Sequence, residues 1–578
     1  MTHRLLTRSR TMNSLKVLSF FLLAMGHQVL AEAPPNFIIL YADDLGYADT
    51  SVQMMDGEPS TKHNFIRTPG VERLAEIGAR FTAAYAPSPT CTASRISIQH
   101  GQSTARIQYR NVFDVLSAVQ RPDGYDAEIT IAEMLKASGK KYLTAHFGKG
   151  AMGRFEDAGY DITDENPGEP GGNGNGHGSY WDPIKEKTPF PPDNPKRMHS
   201  LRKDASDFLK KNAGKQPFFM MVSHYAPHIP FMCTRKAFEH TKKRWIDAGF
   251  DTKGMDEMTD NPIVNPKGEA NKKITYAAMV EEMDLTLVDV LDALEQTGEL
   301  ENTYIIFTSD NGGGHSEKRK VDGEIRRFNG PLQEGKRSIF EGGIRVPTVI
   351  SGPGIKAGSQ CDVPIVQWDF LPTFHDLSGS ESPMPPNVDG GSLRQVFKKG
   401  NKGKVKRVAP GIIHHYTCHY HPPISSIIIG DYKLMRHLNS GEFLLFNLKT
   451  DYREEKNLAS SMPEKVKEMD VICQKYVKKV KGGTAEQVRQ AHHKLMDHFS
   501  QQSVYLYRKR LAVLKEQSLP DFEDRKAAML KELNQNLFKN VVNKEKTNVH
   551  RTLYSWREGP EKKEAEKNAR LKFVEFSD

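Results

Sequence analysis

The sequence predicts an α/β protein, and three observations carry that prediction. Short apolar runs of strand length alternate with longer stretches of helical periodicity. Two of the strands run directly into paired oxygen-bearing residues, Asp43-Asp44 and Asp310-Asn311. The chain, at 578 residues, exceeds what one simple core accommodates, so a large domain with a smaller companion is expected.

Strands are expected at Asn36–Tyr41, Tyr142–Phe147, Phe218–Ser223, Tyr304–Ser309 and Val346–Ser351. Helices are expected between them, including Ile129–Ser138 and the long Ile274–Thr297. In the latter, Met279, Met283, Leu287, Val290, Leu291 and Leu294 recur on one helical face and read as core. The Gly-rich stretch Asn166–Gly178 reads as a loop, kept for binding or left disordered. A second unit begins near Arg407. Its expected strands are Gly411–His415, Ser425–Ile429, Tyr432–Arg436 and Glu442–Leu448, followed by an amphipathic helix at Pro463–Lys479. Beyond residue 496 the chain is charged and helical, with Tyr505–Glu516 and Asp521–Leu537 as its clearest helices. It holds no catalytic motif, and its default role is a solvated packing extension, with binding of an anionic polymer the minority reading.

The first 31 residues differ in kind. Arg4, Arg8, Arg10 and Lys16 precede the apolar run Val17–Met25, and small residues follow, which reads as a secretory leader. The run is too short to span a bilayer, and no other segment is long and apolar enough. The expected organisation is therefore a leader over 1–31, a catalytic domain over 32–406, an α+β subdomain over 407–495 and a helical extension over 496–578. The expected destination is export, to the periplasm or outside the cell. Removing the leader lowers the formal net charge from +9 to +5, which suits an anionic substrate or simple solubility. Nucleic acid is not expected, because no binding motif accompanies the charge. Five cysteines (Cys91, Cys233, Cys361, Cys418, Cys473) show neither a disulfide framework nor a zinc pattern. In an oxidising compartment the last four are free to pair or to stay reduced in the core.

The chemistry concentrates at a few points. Cys91-Thr92-Ala93-Ser94-Arg95 has the form C-x-[PA]-x-R. Upstream lies Phe37–Tyr47 with Asp43-Asp44, and downstream Thr308–Gly313 with Asp310-Asn311. Carboxylate and amide oxygens at strand ends suit a hard cation such as Ca²⁺ or Mg²⁺ rather than zinc. Each pair alone is more often a turn or a cap. Two pairs flanking a candidate nucleophile in sequence point to a site.

Taken together, these stretches resemble the type I, formylglycine-dependent sulfatases of the alkaline-phosphatase-like superfamily, over about Pro35 to Lys449. Further matching stretches are Gly148-Lys149, Tyr225–Pro230, Gly335–Pro347 and Gly430–Leu434. The resemblance implies a large domain with a central, mostly parallel sheet flanked by helices, and a smaller C-terminal antiparallel sheet. It implies that a formylglycine-generating enzyme converts Cys91 to an aldehyde that works as its hydrate. Asp43, Asp44, Asp310 and Asn311 would bind the metal together with an oxygen of modified Cys91, with Ca²⁺ preferred to Mg²⁺. Arg95 would hold the hydrate, Lys149 and Lys336 would grip sulfate oxygens, and His228 would give a proton to the departing alcohol. One hydroxyl of the hydrate would attack sulfur, and collapse to the aldehyde would then expel sulfate. The implied substrate is a sulfated carbohydrate.

Two departures bear on activity. The family usually reads G-K-W-H-L-G around the lysine, whereas this chain reads Gly148-Lys149-Gly150-Ala151-Met152-Gly153, so Ala151 replaces a histidine that assists the hydrate. His146 is nearby in sequence but falls within the expected strand. Where relatives often carry Leu-Thr-Gly-Arg, this chain has Ile98-Gln99-His100-Gly101-Gln102. The cluster His414–His421 suggests a transition metal at first sight, but strand alternation and the lack of a second ligand group weigh against it. His415 and His419 are instead expected to contact sugar. The alternatives are a phosphonate or phosphate monoester hydrolase on the same scaffold, a binding protein for sulfated glycans that has lost turnover, and, with least support, a structural or adhesion module.

Overall fold

The computed structural model describes residues 33–108, 129–151, 155–164, 192–258, 260–264, 266–314, 317–321, 324–416, 423–482, 521, 523–528 and 530–531. The expected leader, the expected Asn166–Gly178 loop, His419 and the expected helix Tyr505–Glu516 lie outside these residues.

The framework is an eight-stranded sheet. Its strands in chain order are β1 (Asn36–Ala42), β2 (Ala79–Phe81), β3 (Leu143–Gly148), β4 (Ile162–Thr163), β5 (Phe218–Ser223) and β6 (Thr303–Ser309). A small three-stranded sheet follows, of β7 (Glu317–Val321), β8 (Glu324–Asn329) and β9 (Leu332–Gln333). The chain then returns to the large sheet as β10 (Val349–Ser351) and β11 (Ser359–Cys361). The order across the large sheet is β11-β2-β10-β6-β1-β5-β3-β4. The pairs β1·β5, β1·β6, β3·β5, β3·β4 and β2·β11 are parallel, and only β10 runs against its neighbours. β10 starts three residues later than the apolar pattern suggests because Pro347 has no N–H to give a ladder.

β1 is buried along its whole length, as expected of a central parallel strand covered on both faces. Ile38 and Leu40 join one core, while Phe37, Ile39 and Tyr41 join the other. The first core is closed by helices α1 (Pro69–Ile77), α3 (Met198–Asn212), α4 (Arg235–Asp247) and α5 (Glu269–Thr297). The α5 stripe of Met279, Met283, Leu287, Val290, Leu291 and Leu294 is buried there, as its periodicity predicts. The second core is closed by Ile131–Lys136 and α6 (Phe370–Leu377). Helix α2 (Cys91–His100) contributes Ile98 to this second core and carries the residues described below.

The C-terminal sheet is a four-stranded antiparallel meander of β12 (Ile412–Tyr416), β13 (Ile424–Ile429), β14 (Tyr432–His437) and β15 (Phe443–Asn447). One face packs toward Tyr85, Ile344 and Trp368, and the other is covered by α7 (Pro463–Lys479). Cys233, Cys361 and Cys473 are buried free thiols. No described helix is long and apolar enough to cross a membrane.

Candidate active site

Parallel strands deliver their C-terminal ends to one edge of a sheet, and a crevice outside that edge is where such folds bind ligands. β1, β3, β5 and β6 run directly into Asp43-Asp44, Lys149, His224-Tyr225 and Asp310-Asn311, respectively. Ala42 is in register with Ser309, so the two oxygen-bearing pairs leave the sheet side by side. Successive side chains of an extended strand point to opposite faces. Asp44 escapes this by adopting a left-handed backbone (φ 68°), a conformation that Asp tolerates better than most residues. Both carboxylates thereby reach one site. At Gly148 (φ 98°) a Cβ would stand 2.1 Å from the Ser223 carbonyl oxygen, so only glycine lets Lys149 N donate to that oxygen at 2.7 Å.

Cys91 begins α2, where the helix dipole favours negative charge. Its Sγ and carboxylate oxygens of Asp43 and Asp310 all lie within 4.8 Å of one another, as do single ligand atoms of Asp43, Asp44 and His228. One helical turn on, Arg95 is buried and bolts three strand ends together. Its Nε donates to Asp310 Oδ2 at 2.8 Å and Nη2 lies 2.7 Å from the same oxygen. Nη1 donates to Ser223 Oγ and to the Lys149 carbonyl oxygen at 3.1 Å, and the guanidinium sits 5.0 Å from the Tyr41 ring centroid.

The remaining charges are paired inside the site. Lys149 Nζ donates to Asp43 Oδ2, and Lys336 Nζ donates to Asp44 Oδ2 at 2.6 Å. His228 Nδ1 donates to the Ile229 carbonyl oxygen at 2.6 Å, which leaves Nε2 facing Asp44 Oδ2 at 3.5 Å. Burial would raise Asp43, but Lys149, His228, Arg95 and Lys336 outweigh it and hold the carboxyl well below the usual range. Asp44 is likewise lowered against burial, chiefly by Lys336 and His228. Asp310 goes the other way. Burial, reinforced by Asp43 and Asp44 and opposed by Arg95 and Lys149, pushes it up to about 7. Burial also lowers His228 to about 4, with Lys336 and Lys149 adding to the fall and the aspartates opposing it.

The donor set fits a hard divalent cation. Asp43 Oδ1 and Asn311 Oδ1 are buried and have no hydrogen-bond partner. The Asn311 amide nitrogen donates to Asp44 Oδ1 at 2.8 Å and to the Gly312 carbonyl oxygen at 2.8 Å, which leaves its own oxygen free for a ligand. Buried orphan oxygens among carboxylates are costly unless a cation takes them. Three carboxylates (Asp43, Asp44, Asp310) here balance three cations (Arg95, Lys149, Lys336), so a divalent ion would leave a positive excess suited to an anionic ester.

Lys336 lies on a segment tied to everything around it. Lys336 N donates to the Gly313 carbonyl oxygen at 3.0 Å and Arg337 N to that of Pro89 at 2.7 Å. Gly312 crosses the same segment so closely that a Cβ would stand 1.8 Å from the Gly342 carbonyl oxygen. From the C-terminal sheet, Lys433 Nζ donates to the Ile339 carbonyl oxygen (2.7 Å) and Glu341 Oε1 (2.9 Å) and lies 2.8 Å from Glu454 Oε1.

Of the residues the sequence singled out, Cys91, Arg95, Asp43, Asp44, Lys149, His228, Asp310, Asn311 and Lys336 converge. His415 does not, and this corrects its expected sugar contact. Its ring is 3% exposed, with Nδ1 2.7 Å from Ser425 Oγ and Nε2 2.9 Å from the Gly482 carbonyl oxygen. β12 is covered on both faces, so alternation places neither His414 nor His415 toward solvent. His146 stacks on Phe155 at 3.5 Å between centroids and belongs to the core, while Ala151 packs beside Ala93 and Ile96 of α2. Sequence reasoning missed Lys196. Its side chain is fully buried, and burial lowers it to about 7, with Asp43, Lys149, Asp44 and Lys336 all acting on it. Lys196 and Arg197 are consecutive left-handed residues, and Arg197 Nη1 meets Asp164 Oδ2 at 2.6 Å, the atom to which Gly148 N donates at 3.0 Å. A basic pair before a helix gives no signal of this in sequence.

Fold and site together suit the binding of an anionic ester, and comparison with known proteins supplies the class. The chain belongs to the sulfatase family: the family model described as Sulfatase matches residues 35–380, and one described as N-sulphoglucosamine sulphohydrolase, C-terminal, matches residues 333–482. The protein is thus a sulfuric ester hydrolase. The N-acetylgalactosamine-6-sulfatase of Mus musculus is 28% identical over 404 residues, covering 64% of this chain and 67% of that protein. An ulvan-active sulfatase of Formosa agariphila is 26% identical over 393 residues, covering 63% and 65%. Among solved structures, Ps i-CgsB in complex with k-i-k-neocarrahexaose superposes with a TM-score of 0.57 at 24% identity, covering 77% of this chain and 93% of that one, which establishes the shared fold.

Proposed function

We propose that this enzyme removes sulfate from a sulfated carbohydrate, using a formylglycine made from Cys91 and a Ca²⁺ ion held by Asp43, Asp44, Asp310 and Asn311. The observation that carries the reading is the meeting of Cys91 Sγ with the Asp43 and Asp310 carboxylates at the start of α2, above a buried Arg95. A thiol placed there is poorly employed as a core residue and well placed as the precursor of a nucleophile. The carbohydrate class is supported by the relatives, two of which are named for sugar or polysaccharide sulfates.

When bound, the cation would supply charge neutralisation at the sulfate oxygens, and the modified side chain would supply a hydroxyl nucleophile. The chain's own residues do the rest. Arg95 keeps the ends of β3, β5 and β6 in fixed relation, so the groups around Cys91 do not reorganise during reaction. Lys149 and Lys336 donate to Asp43 and Asp44, and with those carboxylates holding a cation both ammonium groups would be left to face sulfate oxygens. His228 presents Nε2 to the site with its tautomer set by Ile229, and the negative charge of a bound sulfate ester moves the ring back toward its protonated form, ready to protonate the leaving alcohol. The basic, apolar leader supports export to the periplasm or the medium.

The test is release of inorganic sulfate from sulfated saccharides by wild-type protein and by Cys91→Ala. The variant should retain the thermal midpoint of the parent and release nothing above the uncatalysed rate. Turnover by Cys91→Ala at the parental rate would end the proposal.

A further inference from the structure

The large sheet delivers a second set of strand ends to the edge that carries the site. β10 runs against both β6 and β2, and β11 is parallel to β2, so β2 and β11 point the same way as β1. Thr82-Ala83 and Asp362–Pro364 leave their C-terminal ends and line a cavity of about 520 Å³. β2 stands three strand spacings from β1, roughly 14 Å. The cavity thus lies beside the catalytic centre without sharing its residues, and its size suits a small ligand.

Its opposite wall comes from the C-terminal sheet, through Gly430-Asp431 and Leu448-Lys449. Asn401 closes the near side and is held there by a two-way pairing. Its Nδ2 donates to Asp362 Oδ2 at 3.1 Å, and its Oδ1 accepts from Asp362 N at 2.6 Å. Thr82 Oγ1 donates to Asp362 Oδ1 at 2.7 Å, so that carboxylate is committed within the wall.

Positive charge collects around the cavity. Lys449 lines it and is exposed, and Asp431 is the carboxylate opposing it. Between Asp389 and Asp431 the chain carries seven Lys or Arg and no acidic residue. Arg394 and Arg407 are paired with Asp376 and Asp369. Lys398, Lys399, Lys402, Lys404 and Lys406 are exposed, and none of them, nor Lys449, has an ion pair among the described residues. Lys398 and Lys399 end the helix Arg394–Lys399, where the dipole favours cations. That account does not reach Lys402, next to Asn401, or Lys404 and Lys406. Burial alternates over Lys404–Val408, which puts Lys404 and Lys406 on one outer side.

We infer that this cavity, with Lys449 on its rim and the lysines from Lys402 to Lys406 beside it, is a second, non-catalytic site for an anionic sugar residue of a sulfated glycan. That the anion is a sugar sulfate rests on the carbohydrate-sulfatase reading; the cavity and its charge do not. Nucleic acid fits poorly. Among the described lining residues the one aromatic is Tyr85, which is 1% exposed and gives its hydroxyl to Glu341, so no ring is offered for a base to stack on.

The test is acetylation of wild type by acetic anhydride with and without dextran sulfate, read lysine by lysine from peptide masses. Lys402, Lys404 and Lys449 should be protected. Lys210, Lys211 and Lys215, exposed and just before β5 at the opposite edge of the sheet, should stay reactive. Each cation facing an anionic partner is worth roughly a factor of five in affinity. Lys402→Ser/Lys404→Ser/Lys449→Ser should therefore need about a hundredfold more dextran sulfate for half-protection of Lys398 and Lys406. Lys210→Ser/Lys211→Ser/Lys215→Ser should need no more than wild type. Both variants should keep the parental rate on 4-nitrophenyl sulfate and the parental thermal midpoint. Lys449 left reactive at saturating dextran sulfate overturns the inference, and so does equal protection of Lys210 and Lys211. Protection of the same lysines by double-stranded DNA or by phosphatidylserine vesicles at the same charge concentration would overturn the glycan assignment. Should wild type release no sulfate from any substrate, the catalytic reading fails, while the protection pattern still decides the site.

Discussion

Lys433→Met offers the sharpest view of how the C-terminal sheet supports the site. Lys433 is fully buried, and its ammonium group lies between Glu341 and Glu454 while also holding the Ile339 carbonyl oxygen. Glu341 has a second cation in Arg345, at 3.3 Å. Glu454 Oε2 accepts from Glu341 N at 2.6 Å. Removing one partner of a buried ion pair typically costs ~3–5 kcal/mol, because the other charge is left uncompensated. The pH dependence follows from Glu454. Burial, opposed by Lys433 and reinforced by Glu341, raises it to about 7 from 4.5. A carboxyl raised on folding contributes stability that is fully present below its unfolded value and is lost as pH rises through the folded one. Without Lys433 the rise is larger, so the deficit of the variant should be ~3–5 kcal/mol near about pH 8, and about half that near about pH 5.5, where Glu454 is protonated. Urea unfolding of both proteins at the two pH values measures this, as midpoint times slope. Because Ile339 and Glu341 share a segment with Lys336, kcat/KM should also fall. A variant within ~0.5 kcal/mol of the parent at both pH values, or weaker at the acidic one, would refute the reasoning.

Arg95→Lys keeps the charge but cannot reproduce four donor contacts to Asp310, Ser223 and Lys149; turnover should fall at least ~100-fold, and the thermal midpoint should drop with it. Asp284, which accepts from Gly70 N at 2.7 Å and Val71 N at 3.0 Å at the start of α1, is raised by burial to about 7. Asp284→Asn should therefore cost ~1–2 kcal/mol near about pH 5, with the gap to wild type narrowing toward about pH 8 as the native carboxyl is forced to ionise; a gap that widens would contradict it. Ca²⁺ at about a hundred times its dissociation constant should stabilise the chelator-treated protein by ~2.7 kcal/mol in thermal unfolding, and Asp43→Asn should abolish the gain.

Much of this site is legible in the sequence because strand ends are. An apolar run that breaks into Asp-Asp or Asp-Asn announces both the strand and the side of the sheet on which its ligands emerge, and β1 and β6 deliver both pairs in register. The C-terminal strands and α7 were equally readable from alternation and periodicity. What escapes is decided by tertiary contact. The left-handed turn at Asp44 is a backbone property with no one-letter signature. Arg95 reads as a partner of the nucleophile, yet in the fold its donors are committed to strand ends. His415 is expected to reach sugar because one face of a strand is usually open, but α7 on one side and Tyr85, Ile344 and Trp368 on the other cover both faces of β12. Lys196 is invisible in sequence, since a buried lysine is spelled like any other.

The most direct measurement is the mass of the peptide carrying Cys91, isolated from protein that releases sulfate at full rate and was made in cells containing a formylglycine-generating enzyme. An aldehyde in place of the thiol, in proportion to specific activity, is the expected result. Fully active protein whose Cys91 still bears its sulfur would contradict the proposed chemistry at its root.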